Sequence, residues 1–173
     1  GAAKVFVLLK EKLSDESRGE SIELFHLSGN MTPLHKSHVI DTIKQTLKRG
    51  NKQCVSTTLN SVAVVSTQVL EAGVDLSFDT IYRELPIMPS IVQVAGRANR
   101  HGEKASPSEV KIFRFVDEND REPRTFVYRS SIWREETDVI LEDNRTWPEN
   151  ETNGLLEHFF KECYARAPRE AFL

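Results

Sequence analysis

VVSTQVLEAGVDL, residues 64–76, continues an apolar run that starts at Val62 and passes directly into Ser66, Thr67 and Gln68. A run such as Val62 to Val65, with no polar alternation, predicts a strand covered on both faces, as strands of parallel sheets are. Working upstream, SIELFHL (21–27) predicts a second buried strand that ends at Ser28 and Gly29. Between the two, Thr32 and Pro33 form a helix start, an oxygen cap followed by a residue with preset φ. Ile40, Ile43 and Leu47 then mark a buried stripe running to Gly50. Further upstream, Ala2, Val5, Phe6, Leu9 and Leu13 recur at helical spacing and predict an amphipathic helix already under way at residue 2.

Downstream, Ile81 and Tyr82 predict a short strand, Ser90 caps a helix expected to run through Arg97, and VKIFRFV (110–116) predicts another strand. Strands alternating with helices imply a largely parallel α/β sheet. From Asp117 the composition turns polar and charged. Two helical patterns follow, one around Ile132 to Leu141 and one carrying Leu156, Phe159, Phe160 and Cys163 on a single stripe. CVSTTLNSVA (54–63) lengthens the approach to the Val62 strand and reads equally as a surface loop or an extra edge strand.

Parallel sheets place ligands at the carboxyl ends of their strands. The small hydroxyls at Ser66 and Thr67 stand at such an end, where nucleic-acid phosphates can be held, and Gly73 and Asp75 stand where a nucleotide ribose or γ-phosphate can lie. The most specific segment is QVAGRANR (93–100): on one continuous helix, Gln93, Arg97 and Arg100 fall at i, i+4 and i+7 and project from one face. Gly96 beside them permits close backbone approach, and two guanidiniums so placed suit the γ-phosphate of a nucleotide held by another domain. Arginine there stabilises charge that develops in phosphoryl transfer, by on the order of 10³-fold or more in rate. Alone, two arginines on a helix are more often a solvated face. The order and spacing of the two segments give them meaning together.

The remaining composition narrows the function classes. The chain has 173 residues, 39% apolar and 28% charged, with net charge −3, so there is no global basic field and any nucleic-acid contact must be local. Cys54 and Cys163 lack the spacing of a disulfide framework or zinc site, and a reducing cytoplasm is the default location. The first segment is too short and too charged to span a bilayer and lacks signal-peptide layout. His35 and His38 lie at i, i+3 without a completing ligand, and Asp117 to Asp120 reads as a charged turn rather than a magnesium box. Trp133 and Trp147 read as packing residues of the tail. No Gly-x-x-x-x-Gly-Lys-Ser/Thr phosphate loop occurs, so the chain by itself is expected not to hydrolyse ATP.

STQVLEAGVDLSFD (66–79) resembles helicase motif V and QVAGRANRHGE (93–103) resembles motif VI of superfamily 2, while LFHLSGNMTPLHK (24–36) resembles the motif IV region. Gln68, Glu71, Ala72 and Asp75, with Asn99, His101, Gly102 and Glu103, make these versions most similar to the helicase-nuclease of type I CRISPR interference. Val94 departs from the arginine often found after the glutamine. The resemblance implies a RecA-like three-layer domain over residues 1–116, its first strand and its partner RecA-like domain lying before residue 1, and a partly helical extension over 117–173. It implies Arg100 as arginine finger, Arg97 as a second γ-phosphate contact and Gln93 near the attacking water. Gly73 and Asp75 would serve nucleotide coupling, and Thr67, Gln68 and Ser28 would track single-stranded DNA. ATP and Mg2+ would be held mainly by the first RecA-like domain, in a cytoplasmic protein recruited by a CRISPR RNA-guided surveillance complex. Alternatives are a motor domain of another superfamily 2 RNA or DNA helicase, and a non-catalytic nucleic-acid-binding remnant.

Overall fold

The computed structural model describes residues 1–15, 22–52, 61–70, 74–98, 100, 108–143 and 145–167. It divides into two compact units, Gly1–Leu76 and Ser77–Leu173.

The first unit holds helix α1 (Ala2–Asp15), strand β1 (Ile22–Leu27), helix α2 (Pro33–Lys52) and strand β2 (Ser61–Ser66). β1 and β2 pair in parallel from Ile22↔Ser61 to Leu27↔Ser66, so the crossover between them is the helix that parallel pairing requires. Both α1 and α2 pack on this pair. On α2, Ile43 is fully buried and Thr32 Oγ1 accepts the His35 N–H, closing the first turn as the sequence predicts. The α1 stripe is narrower than expected. Ala2, Phe6 and Leu13 are half-buried, whereas Val5 and Leu9 are exposed. Phe6 sets its ring against His26 of β1 at 5.3 Å between centroids, which turns that side of the helix toward the strands.

The second unit holds strand β3 (Thr80–Glu84), helix α3 (Met88–Ala95), strand β4 (Glu109–Phe113) and helices α4 (Arg124–Val127), α5 (Ser131–Asp143) and α6 (Thr152–Arg166). β3 and β4 are again parallel, Thr80↔Glu109 to Glu84↔Phe113. One face of the pair is open: opposite Tyr82, Lys111 lies 5.7 Å from the ring centroid and pairs with Glu109 at 3.1 Å. The Glu109 hydrogen bond and charge raise the Lys111 pKa. The strand expected over 110–116 stops at Phe113, and Phe115 and Val116 stand exposed beyond the pairing.

Helix α3 differs from expectation at both ends. It begins at Met88 rather than being capped by Ser90, because the buried Met88 N–H donates to Thr137 Oγ1 of α5 at 3.0 Å, a cap supplied from a distant helix. Pro89 follows in the first turn, where a missing N–H is tolerated. Ser90 is itself buried inside the helix, and its Oγ accepts the Tyr128 hydroxyl at 3.1 Å. The helix ends at Ala95, not Arg97: Arg97 N–H turns back to Val94 O and Ala98 N–H to Ala95 O, both at 2.9 Å, and the Arg97 carbonyl accepts the Phe78 N–H.

The core of this unit is Met88, Ile91, Ile140, Phe159 and Cys163, joined by half-buried Trp147, Leu156 and Phe160. Trp133 meets Phe159 edge-on at 5.8 Å, so both tryptophans serve packing. Arg124, 6% exposed, donates to Asp138 at 2.9 and 2.5 Å and to Glu122 at 2.5 Å, and Arg114 reaches the same two carboxylates at 3.1 and 2.6 Å. Burial acts to lower the Arg124 pKa, but the bonds to Asp138 and Glu122 outweigh it and hold the guanidinium charged. Asp117 Oδ1 accepts the N–H of Asn119 and of Arg121, which makes the acidic stretch a self-bonded turn. Among the described residues, no helix is long and apolar enough to cross a membrane.

Candidate functional site

The parallel register of the first unit sets the ends of β1 and β2 side by side, and the residues that follow are bonded across the gap. Gly29 N–H donates to Thr67 Oγ1 at 3.0 Å, and Thr67 N–H donates to Leu27 O at 3.1 Å. Ser28 turns the chain, its carbonyl accepting the Met31 N–H at 3.2 Å and its Oγ accepting the Asn30 N–H at 3.3 Å. Ser28 and Thr67, 39 residues apart in sequence, thus share one strand-end surface. Thr67 is exposed, and its hydroxyl, which accepts from Gly29, keeps a hydrogen to donate to an outside acceptor. Gln68 is exposed and opens the short 3₁₀ turn Gln68–Leu70. Gly29, read in the sequence only as the end of a strand, supplies through its backbone N–H one of the two bonds that tie the strand ends together.

Asp75 is exposed between buried Val74 and Leu76. Gly73, Glu71, Ala72, Asn99, and 101–107 lie outside the described residues, as does most of the 54–63 insertion.

In the second unit, Gln93 is exposed on α3, Arg97 is half-buried in the turn after it, and Arg100 is exposed further on. The three residues are therefore not placed by one helix face, which corrects the i, i+4, i+7 expectation. The helix gives way because backbone groups after Ala95 find partners elsewhere. Phe78 N–H donates to Arg97 O at 2.9 Å, Phe78 and Ala98 form a parallel bridge, and Arg100 N–H donates to Ser77 Oγ at 2.9 Å. Gly96 has φ −65°, and a Cβ there would meet Gln93 O no closer than 3.6 Å, so among the described residues nothing demands glycine.

By type these donors suit an anion: two guanidiniums in the segment after α3 and an exposed carboxamide on the helix before it. It does not suit a metal ion, and among the described residues no group of three or more His, Cys, Asp or Glu could hold one. His35 and His38 are both exposed on α2.

Parallel strands with intervening helices, and motif-bearing segments at strand ends and after α3, define the second RecA-like domain of a helicase. The family model of the C-terminal region of the CRISPR-associated nuclease/helicase Cas3 matches residues 2–103, and the chain belongs to that family. The nuclease/helicase Cas3 of Haloferax volcanii is 39% identical over 61 residues, 35% of this chain and 6% of the relative. A crystal structure of T. fusca Cas3-ATP superposes with a TM-score of 0.70 at 20% identity, covering 92% of this chain and 18% of that one. A further crystal structure of T. fusca Cas3 gives 0.72 at 19% identity, over 93% and 19%. A chain of a CRISPR RNA-guided surveillance complex in a pre-nicking state gives 0.65 at 19% identity, over 92% and 20%. At these identities the structures establish the RecA-like fold. The chain spans a small part of each of these relatives.

Proposed function

We propose that this chain is the C-terminal motor domain of an ATP-dependent single-stranded DNA helicase or translocase of type I CRISPR interference, active only within its full-length protein. Residues 1–116 form the second RecA-like domain and 117–173 its extension. The observation that carries this reading is the pair of guanidiniums, Arg97 and Arg100, in a backbone-fastened segment after α3 in a chain of the Cas3 C-terminal family.

The first RecA-like domain of the same protein holds ATP and Mg2+. Domain closure then brings Arg100 onto the γ-phosphate as arginine finger, with Arg97 as a second contact and Gln93 beside the attacking water. Charge accumulating on the phosphoryl oxygens is met by fixed guanidiniums rather than by reorganising solvent. Gly73 and Asp75 couple this event to the strand-end surface, where Thr67, Gln68 and Ser28 hold DNA phosphates without reading bases. Repeated closure moves that grip 3′-to-5′ along the strand. A surveillance complex delivers the DNA, in the cytoplasm. The match to a chain of such a complex, and to Cas3 crystallised with nucleotides, supports the partner and the cofactor.

The test is Arg100→Ala in the full-length protein. DNA-stimulated ATPase falls by about 10³-fold while DNA binding is retained. Turnover at the wild-type rate overturns the arginine-finger assignment.

A further inference from the structure

Helix α3 ends five residues before Arg100, so no helical geometry determines where that guanidinium is presented. Its backbone is instead located by two neighbouring residues, Ser77 and Phe78. Phe78 contributes main-chain groups, its N–H bonding Arg97 O and its backbone bridging Ala98. Ser77 acts through its side chain: Oγ accepts the Arg100 N–H at 2.9 Å. It is a side-chain bond made directly to the backbone of Arg100. Ser77 is half-buried, whereas Arg100 is exposed, so the bond joins a more enclosed residue to a more open one. A mobile arginine gains little from being charged, because the catalytic benefit of a guanidinium depends on its being in place before the charge develops.

We infer that Ser77 is a positioning residue for Arg100, its hydroxyl oxygen holding the Arg100 backbone in the register that presents the guanidinium to the γ-phosphate. Ser77 touches neither nucleotide nor DNA in this scheme. The inference rests on the arginine-finger reading of Arg100 and adds to it the residue that sets the finger. Because the bond is a single neutral hydrogen bond, its loss is graded and far smaller than the loss of the arginine.

In the full-length protein, Ser77→Ala is expected to lower kcat of DNA-stimulated ATPase by about two- to tenfold, the range a hydrogen bond of this kind spans. KM for ATP and the Kd for single-stranded DNA stay unchanged, a split that general loosening of the fold does not produce. Ser77→Thr, which keeps the oxygen, restores kcat. In an Arg100→Ala background, Ser77→Ala slows the residual turnover no further, since the residue it positions is gone. If Ser77→Ala does not fold, the isosteric pair Ser77→Thr and Ser77→Val makes the same comparison at constant shape. A Ser77→Ala enzyme with wild-type kcat beside an inactive Arg100→Ala enzyme overturns the inference and leaves the arginine finger standing. An additive loss in the double variant also overturns it, because Ser77 then acts on something else. Wild-type turnover in Arg100→Ala removes the finger, and the inference with it.

Discussion

Gln93, Arg97 and Arg100 illustrate how far residue types alone carry an argument. Their chemistry is legible in sequence because a carboxamide and two guanidiniums offer the same donors in any conformation. Their geometry was not, because it depends on which partner the Arg97 carbonyl and the Arg100 N–H choose. Cys163 shows the converse, a residue with no chemical pattern around it whose behaviour follows from burial. At 3% exposure, desolvation first and the Glu136 charge second push its thiol from the ordinary 9.0 to about 11, against the opposing charge of Arg166. The thiol is therefore neutral and shielded at pH 7.5, and with Cys54 replaced by serine the native chain should react with a maleimide only after denaturation. The linkage has a definite sign: the folded state keeps this proton where the unfolded state has lost it. Its contribution to stability is complete below about pH 9 and is lost as pH rises toward about 11. Urea melts of the chain and of Cys163→Ala across that window check this, the variant losing less stability with rising pH.

At the scale of elements, α3 is the informative case, since both of its boundaries are decided by residues outside it. Only eight residues long, it has no side-chain cap of its own, and its first N–H is satisfied by Thr137, 49 positions away. Thr137 is fully buried and also donates to Trp133 O at 2.7 Å, so one hydroxyl joins α3 to α5. Thr137→Val keeps the shape and leaves a buried N–H without an acceptor, which costs about 1–3 kcal/mol. Urea denaturation measures that loss, and Thr137→Ser should recover most of it. A Thr137→Val chain as stable as wild type would show that α3 starts without its tertiary cap. Arg97 and Arg100 lie just beyond the other end of α3, so any fraying there bears on the candidate site.

For the molecule, each of the two units carries one parallel strand pair, and each is held by its own contacts. The second unit is built around a core shared between α3 and the helices of the segment after Asp117. Phe159 is fully buried there, in edge contact with Trp133 and Phe160. Phe159→Ala should destabilise this unit by about 3–5 kcal/mol. Hydrogen exchange at α3 amides reports whether the loss reaches the helix that bears Gln93. Protection of α3 unchanged in a destabilised variant would mean that α5 and α6 unfold without it. The ring of Arg114, Glu122, Arg124 and Asp138 acts alongside that core, tying the end of β4 to α5.

The sequence by itself determined the main element types, the parallel pairing and the residue types of the candidate site. Helical stripes such as Leu156, Phe159, Phe160 and Cys163 report burial over many residues, and a local sum of that kind survives into the fold, whereas the apolar run Val62 to Val65 forms its strand but is only half-buried. The turn at Asp117 was legible for the same reason, its bonds all running to near neighbours. Tertiary structure alone decided where α3 begins and ends, which face of α1 is covered, that β4 stops at Phe113, and that Ser77 and Phe78 hold the arginine segment. The start of α3 and the place of the arginine segment each depend on one backbone group meeting one distant partner, Met88 with Thr137 or Arg100 with Ser77. A single pairing across tens of residues leaves no periodic trace in the chain. The two arginines could be read from their order; what places them could be read only from the bonds.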